Sequence, residues 1–236
     1  MIRETPDEVK SLWSAQLQEW NTNQPYVRVP RDPHPEIPGK LERIETPDKA
    51  NAFYYSSQQY VLSDEDQEYA LLVLGNFILG GGTLSSRLGD RVRQQEGLSY
   101  TVRSSVSARE RDQRVDFLLY AIANPENTDR LIEVIREELD RLRKDGVTED
   151  ELEKAKVAYL QNNRVRRADD GSLAAELLGT IFNERTMQYQ ADHEAQIEAA
   201  TIDSVNAVIR KFIAPDKLVS AAAGDFAAAA KKTDDK

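Results

Sequence analysis

Three consecutive glycines, Gly80, Gly81 and Gly82, separate two apolar helical patterns and precede two strand patterns, and this junction constrains the fold more than any other part of the chain. Upstream, Leu71, Leu72, Val73, Leu74, Phe77, Ile78 and Leu79 make a helix that is apolar nearly all round, opened by Ser63 and Asp66; such a helix has to be buried against a sheet. The spacing predicts that the glycines stop it, that a second helix with the stripe Leu84, Leu88 and Val92 follows, and that Gly97 closes that helix as a C-cap. Residues 98–107 and 115–123 then read as antiparallel strands joined at the charged turn 109–113.

The rest of the chain extends the pattern. Residues 5–20 read as a helix, with Thr5 as cap, Pro6 in the first turn and Val9, Trp13, Leu17 and Trp20 at helical period; two tryptophans on one stripe need a surface to cover. Residues 21–39 hold five prolines and read as an extended connector, so a domain boundary is expected near residue 40. Strands are expected at 41–45 and 51–62 and at 218–223. Helices are expected from Asn124 and Pro125 to Gly146, from the capping box Thr148/Glu151 onward, from the break at Asp169 to about Phe182, and from about Asp192 to Phe212. The alanine- and lysine-rich stretch 227–236 is expected to be a disordered tail. Runs of strands alternating with runs of helices argue for an α+β fold: a mixed or antiparallel sheet with helices layered on one face, spanning residues 40–226.

Composition closes several functional classes. With 31 basic against 41 acidic residues, the net charge of -10 argues against a nucleic-acid partner. No apolar run is long enough for a membrane span, and residues 1–4 lack the opening of a secretory signal, so a soluble protein is expected, of periplasm or cytoplasm alike. There are no cysteines for disulfides, thiolate metal sites or a thiol nucleophile. The two histidines, His34 and His193, stand in neither order of the two-histidine zinc helix, since position 197 is Ile197; no metal ligand is assigned. No Gly-x-Ser-x-Gly elbow occurs, and no lysine follows the glycines at the phosphate-loop offset.

Arg93 and Tyr100 remain as chemistry-bearing residues. An arginine at a helix end and a tyrosine seven residues on can both hydrogen-bond a peptide carbonyl, or the oxyanion formed when water attacks it. Two plainer roles are open: Arg93 in exposed ion pairs with Asp90 and Glu96, and Tyr100 as a core residue sharing strand parity with Leu98 and Val102.

Together Gly80–Gly82, Ser86-Arg87-Leu88, Arg93 and Gly97-Leu98-Ser99-Tyr100 resemble the C-terminal-half signature of the insulinase/pitrilysin family of zinc metallopeptidases, which includes the mitochondrial processing peptidase. The resemblance spans residues 40–226 in element order. It implies a LuxS/MPP-like half-unit that faces a homologous zinc-bearing half, in the same polypeptide or a separate subunit, around a peptide substrate. Arg93 would bind the substrate carbonyl, Tyr100 would stabilise the oxyanion, and Gly80, Gly81 and Gly82 would line the chamber. Since the inverted zinc motif is absent, the chain would be the non-catalytic half, with zinc on its partner. A proteolytically inactive assembly module of the same fold is the alternative. The 5–20 helix and the connector would lead in from a preceding domain, with Val9, Trp13 and Trp20 as a docking stripe.

Overall fold

Alternating burial along the second strand sets the orientation of the whole sheet: Ala52, Tyr54, Ser56 and Tyr60 point into the core while Phe53 and Tyr55 face outward. A computed structural model describes residues 5–82 and 86–234; Leu84, the first member of the expected stripe, lies outside the described residues. Five strands, β1 (Lys40–Glu45), β2 (Ala52–Tyr60), β3 (Thr101–Ala108), β4 (Val115–Ala123) and β5 (Val219–Gly224), pair in the order β1-β5-β2-β4-β3. β1 runs parallel to β5 and every other pairing is antiparallel, so the sheet is mixed, as expected. Tyr54 Oη, Ser220 Oγ and Ser56 Oγ form a buried hydroxyl chain across β2 and β5, at 3.2 and 3.1 Å. The outward face carries an aromatic group, with Phe53 stacked on Tyr55 and on Tyr120 at centroid distances of 6.4 and 6.1 Å.

The other face is covered by helices. α2 (Gln67–Asn76) buries Ala70, Leu71, Leu72 and Leu74, and α3 (Thr128–Asp145) buries Leu131, Ile132, Val134, Ile135, Leu139 and Leu142 on one stripe. Each fully buried aliphatic side chain stabilises the fold by about 1.5–3 kcal/mol, which is why these stripes dictate the layer. α4 (Glu149–Arg167) starts at the anticipated Thr148/Glu151 capping box, and α5 (Asp170–Phe182) starts where Asp169 accepts from the Ser172 N–H at 2.8 Å. α6 (Gln188–Ala199) and α7 (Ile202–Phe212) follow, and α7 buries Val205, Val208, Ile209 and Phe212 in the core beneath α2. α5 buries none of its residues, and its Leu178, Ile181 and Phe182 are exposed.

The chain divides into two compact units, Met1–Pro30 and Arg31–Lys236. In the first, the helix α1 (Pro6–Leu17) opens with a capping box between Thr5 and Glu8 and ends three residues short of Trp20; Trp13 and Trp20 are both exposed. In the second, residues 31–39 are tied to the sheet, where the His34 N–H donates to Gln59 Oε1 at 2.9 Å and Lys40 N–H to Leu218 O at 3.1 Å.

Three expectations are corrected. Gly80 and Gly81 do not end the first apolar helix: α2 passes into a π-helical turn, Phe77–Gly81, and only Gly82 leaves the helical region. The second helix is largely π-helical too, over Gly89–Gln95. Of the stretch expected to be a disordered tail, residues 227–234 lie in α8 (Phe226–Asp234), because Asp225 caps it by accepting from the Ala228 N–H at 2.9 Å and alanine favours a helix once a cap exists; residues 235–236 lie outside the described residues.

Candidate functional site

The helical segment that carries Arg93 is fixed from below by Leu88 and Val92, both fully buried, and from the side by Arg87. The Arg87 guanidinium donates to both carboxylate oxygens of Glu151 at 2.7 Å and to Gly146 O at 2.7 Å. Burial opposes its charge, but Glu151, Glu138 and Asp145 outweigh that and raise its pKa. Gly97 then takes φ +63°, a conformation that disfavours a side chain, and the Leu98 N–H returns to Val92 O at 3.0 Å.

Ser99 decides where Tyr100 goes. Its buried hydroxyl lies 2.5 Å from Ile122 O and 2.8 Å from Thr101 O, and accepts from the Thr101 N–H at 3.0 Å. With Ser99 turned inward, Tyr100 is thrown outward and is 94% exposed. The strand parity with Val102 that a core role would need therefore fails: β3 begins at Thr101, and Tyr100 is no core residue.

Arg93 and Tyr100 line the same cleft, a space of about 480 Å³ shared with Gly80, Gly82, Ser86 and Arg103. Gly81 is not among its lining residues; it packs inward, where an added Cβ would stand 2.4 Å from Asn76 Nδ2. At Gly80 the same atom would meet Ser104 Oγ at 2.6 Å and Leu88 Cδ1 at 2.9 Å, so this glycine brings the π turn against β3. The two carboxylates that flank Arg93 in sequence have other donors: Asp90 Oδ1 accepts from Gln94 at 2.9 Å, and Glu96 is held by Arg130 at 2.9 Å and by Arg91. The Arg130 hydrogen bond is the main reason the Glu96 pKa is lowered.

In the sequence Arg87 stands only within the family resemblance, and Arg103 is not singled out. The signal for Arg103 was its parity with Thr101 on the strand that follows Tyr100, which places it on the cleft side.

A second space, of about 370 Å³, lies away from these residues, between α2, α4, α5 and α6. His193 Nε2 is 3.2 Å from Tyr159 Oη, among the rings of Tyr69, Tyr159 and Tyr189, and Arg185 pairs with Asp64 at 2.6 and 2.9 Å. His34 is exposed beside Glu36. Neither histidine belongs to a group of three potential ligands, and among the described residues no such group exists; the donor set does not fit zinc.

The family model of the peptidase M16 inactive domain matches residues 3–159. An uncharacterized zinc protease of Streptomyces coelicolor is 34% identical over 150 residues, which are 62% of this chain and 31% of that protein. A protein of Helicobacter pylori named a non-peptidase homolog is 25% identical over 174 residues, 72% of this chain and 39% of its own. The crystal structure of a peptidase M16 inactive domain from Pseudomonas fluorescens superposes with a TM-score of 0.69 at 26% identity, over 79% of this chain and 44% of that one. The chain spans about a third of the length of these curated relatives.

Proposed function

Because this chain belongs to the peptidase M16 inactive-domain family, the zinc-free half of insulinase/pitrilysin-type peptidases, we propose that it is the substrate-binding half of a zinc metalloendopeptidase. In this reading residues 40–226 form the half-unit, Arg93 binds a peptide carbonyl and Tyr100 donates to the oxyanion. The observation that carries it is the single cleft lined by both side chains, with the Tyr100 ring almost wholly exposed and its position set by Ser99. The zinc-bearing half, in cis or in trans, supplies the metal and the attacking water. This chain contributes donors aimed at the charge that develops on the carbonyl oxygen, and one such donor is worth about 2.7–4 kcal/mol of barrier.

The test is peptide hydrolysis by the chain assembled with a zinc-bearing half. Tyr100→Phe is expected to lower kcat roughly 100-fold or more with little change in KM; an unchanged kcat removes the assignment. A second reading, a proteolytically inactive assembly module, is favoured by the name of the H. pylori relative. It predicts no hydrolysis from any such assembly.

A further inference from the structure

We infer that Arg103 reads a carboxylate on the bound peptide, so that the cleft favours an acidic side chain or a free C-terminus close to the carbonyl held by Arg93 and Tyr100. This rests on the peptide-binding reading of the cleft given above. Arg103 is exposed on β3 and lines the same space as Arg93 and Tyr100. Its side chain has no hydrogen bond, ion pair or ring contact among the described residues. Other arginines near the cleft are paired: Arg87 with Glu151, Arg91 with Glu137, Arg130 with Glu96.

The charge balance sharpens the point. In a chain with ten more acidic than basic residues, the described lining of this cleft contains two arginines and no aspartate or glutamate. A guanidinium kept clear of internal carboxylates has its forked donors available to an outside one, and that geometry fits a carboxylate in bidentate fashion. Position follows from the strand. Arg103 stands three residues beyond Tyr100, about 10 Å along an extended backbone at roughly 3.3 Å per residue. An extended peptide with its carbonyl at the Arg93/Tyr100 pair therefore presents the carboxylate two or three residues away. The register partner of Arg103 is Tyr120, whose ring stacks on Phe53, so an apolar surface borders the cation.

The experiment is an amide-resolved NMR titration of the full chain with three eight-residue probes: an amidated peptide with one central Glu, its amidated Gln twin, and the Gln twin with a free C-terminus. Arg103 wild type is expected to bind one carboxylate probe about three- to tenfold more tightly than the amidated Gln probe, as for a partly solvated ion pair. A Glu preference identifies an acidic side chain as the ligand; a free-acid preference identifies the peptide C-terminus. Arg103→Gln is expected to bring the ratio to one, and Arg103→Glu to invert it. A ratio that persists in both variants, or equal affinity of wild type for all probes, overturns the role of Arg103. The parent reading fails separately: the amidated Gln probe then binds Arg93→Ala as well as wild type, with no shifts at the cleft. Absence of any shift with all three probes at millimolar concentration overturns both.

Discussion

Arg87 and Glu151, 64 positions apart in sequence, meet through two hydrogen bonds of 2.7 Å, and the same carboxylate accepts from the Thr148 N–H at 2.8 Å. One glutamate thus closes the N-cap of α4 and tethers the segment that carries Arg93. Truncation of Arg87 leaves Glu151 without its cation and takes a more distant one, at 3.9 Å, from buried Glu138, which keeps Arg141. For this partly buried pair Arg87→Ala is expected to cost about 2–3 kcal/mol, below the full cost of breaking a buried pair. Urea unfolding measures it. The same contact carries an acid signature. Burial alone would raise the Glu151 pKa, but the Arg87 and Thr148 hydrogen bonds lower it below the ordinary 4.5. A depressed carboxylate contributes stability that is present above 4.5 and lost as pH falls through its folded value, and Arg87→Ala should flatten that loss.

Gly80 and Gly179 are both helical, and their neighbourhoods predict opposite outcomes for the same substitution. A Cβ at Gly80 would collide with Ser104 Oγ, Leu88 Cδ1 and the Ser104 backbone nitrogen at 3.0 Å or less. Gly80→Ala is therefore expected to destabilise by about 1–3 kcal/mol through overpacking. Nothing lies within 4 Å of a Cβ at Gly179, inside α5, where Gly179→Ala should stabilise by about 0.5–1 kcal/mol. Thermal melts of the two variants should shift in opposite directions; equal shifts would contradict the close approach of the π turn to β3.

His193 predicts a loss of stability on mild acidification. Burial lowers its pKa below the ordinary 6.5, against the opposing charges of Glu194 and Asp64, while Tyr69, Tyr159 and Tyr189 surround the ring and Arg185 neutralises Asp64. Above 6.5 both folded and unfolded forms are neutral and nothing is lost. As pH falls below 6.5 the unfolded chain takes up a proton that the folded one resists, so stability declines until the folded value is reached, by at most about 1.4 kcal/mol per pH unit. His193→Gln should remove this slope while keeping a polar partner for Tyr159. A slope of equal size in the variant would assign the effect to another group.

The parts of the fold legible in the sequence were those fixed by local chemistry. The strand at β2, the Thr148/Glu151 box, and the stops at Gly97 and Gly146 each follow from neighbouring residues. The close approach of the first π turn to β3 was hidden because it rests on how tightly Gly80 meets Ser104, a contact 24 positions away. Exposure of Tyr100 was left open by spacing for a similar reason: parity with Val102 pointed inward, but Ser99 bonds to Ile122 on the neighbouring strand and turns the next residue out. The pairing of Arg93 and Tyr100 in one cleft was anticipated through the family resemblance, while spacing alone left an ion-paired arginine and a core tyrosine open.

Tyr100 gives a chemical test of the cleft whose control is Arg93→Ala. Its ring is 94% exposed, whereas Tyr54 and Tyr60 are buried and burial raises the pKa of Tyr60. Nitration depends on access to the phenol, so limiting tetranitromethane should modify Tyr100 well before Tyr54 and Tyr60, as located by peptide mass mapping. An extended peptide held at Arg93 and Tyr100 covers the Tyr100 ring. Millimolar peptide is therefore expected to slow nitration at Tyr100, and Arg93→Ala should remove the protection. Protection that survives Arg93→Ala would mark a nonspecific effect of the peptide, and no protection of Tyr100 would place peptide binding away from this cleft.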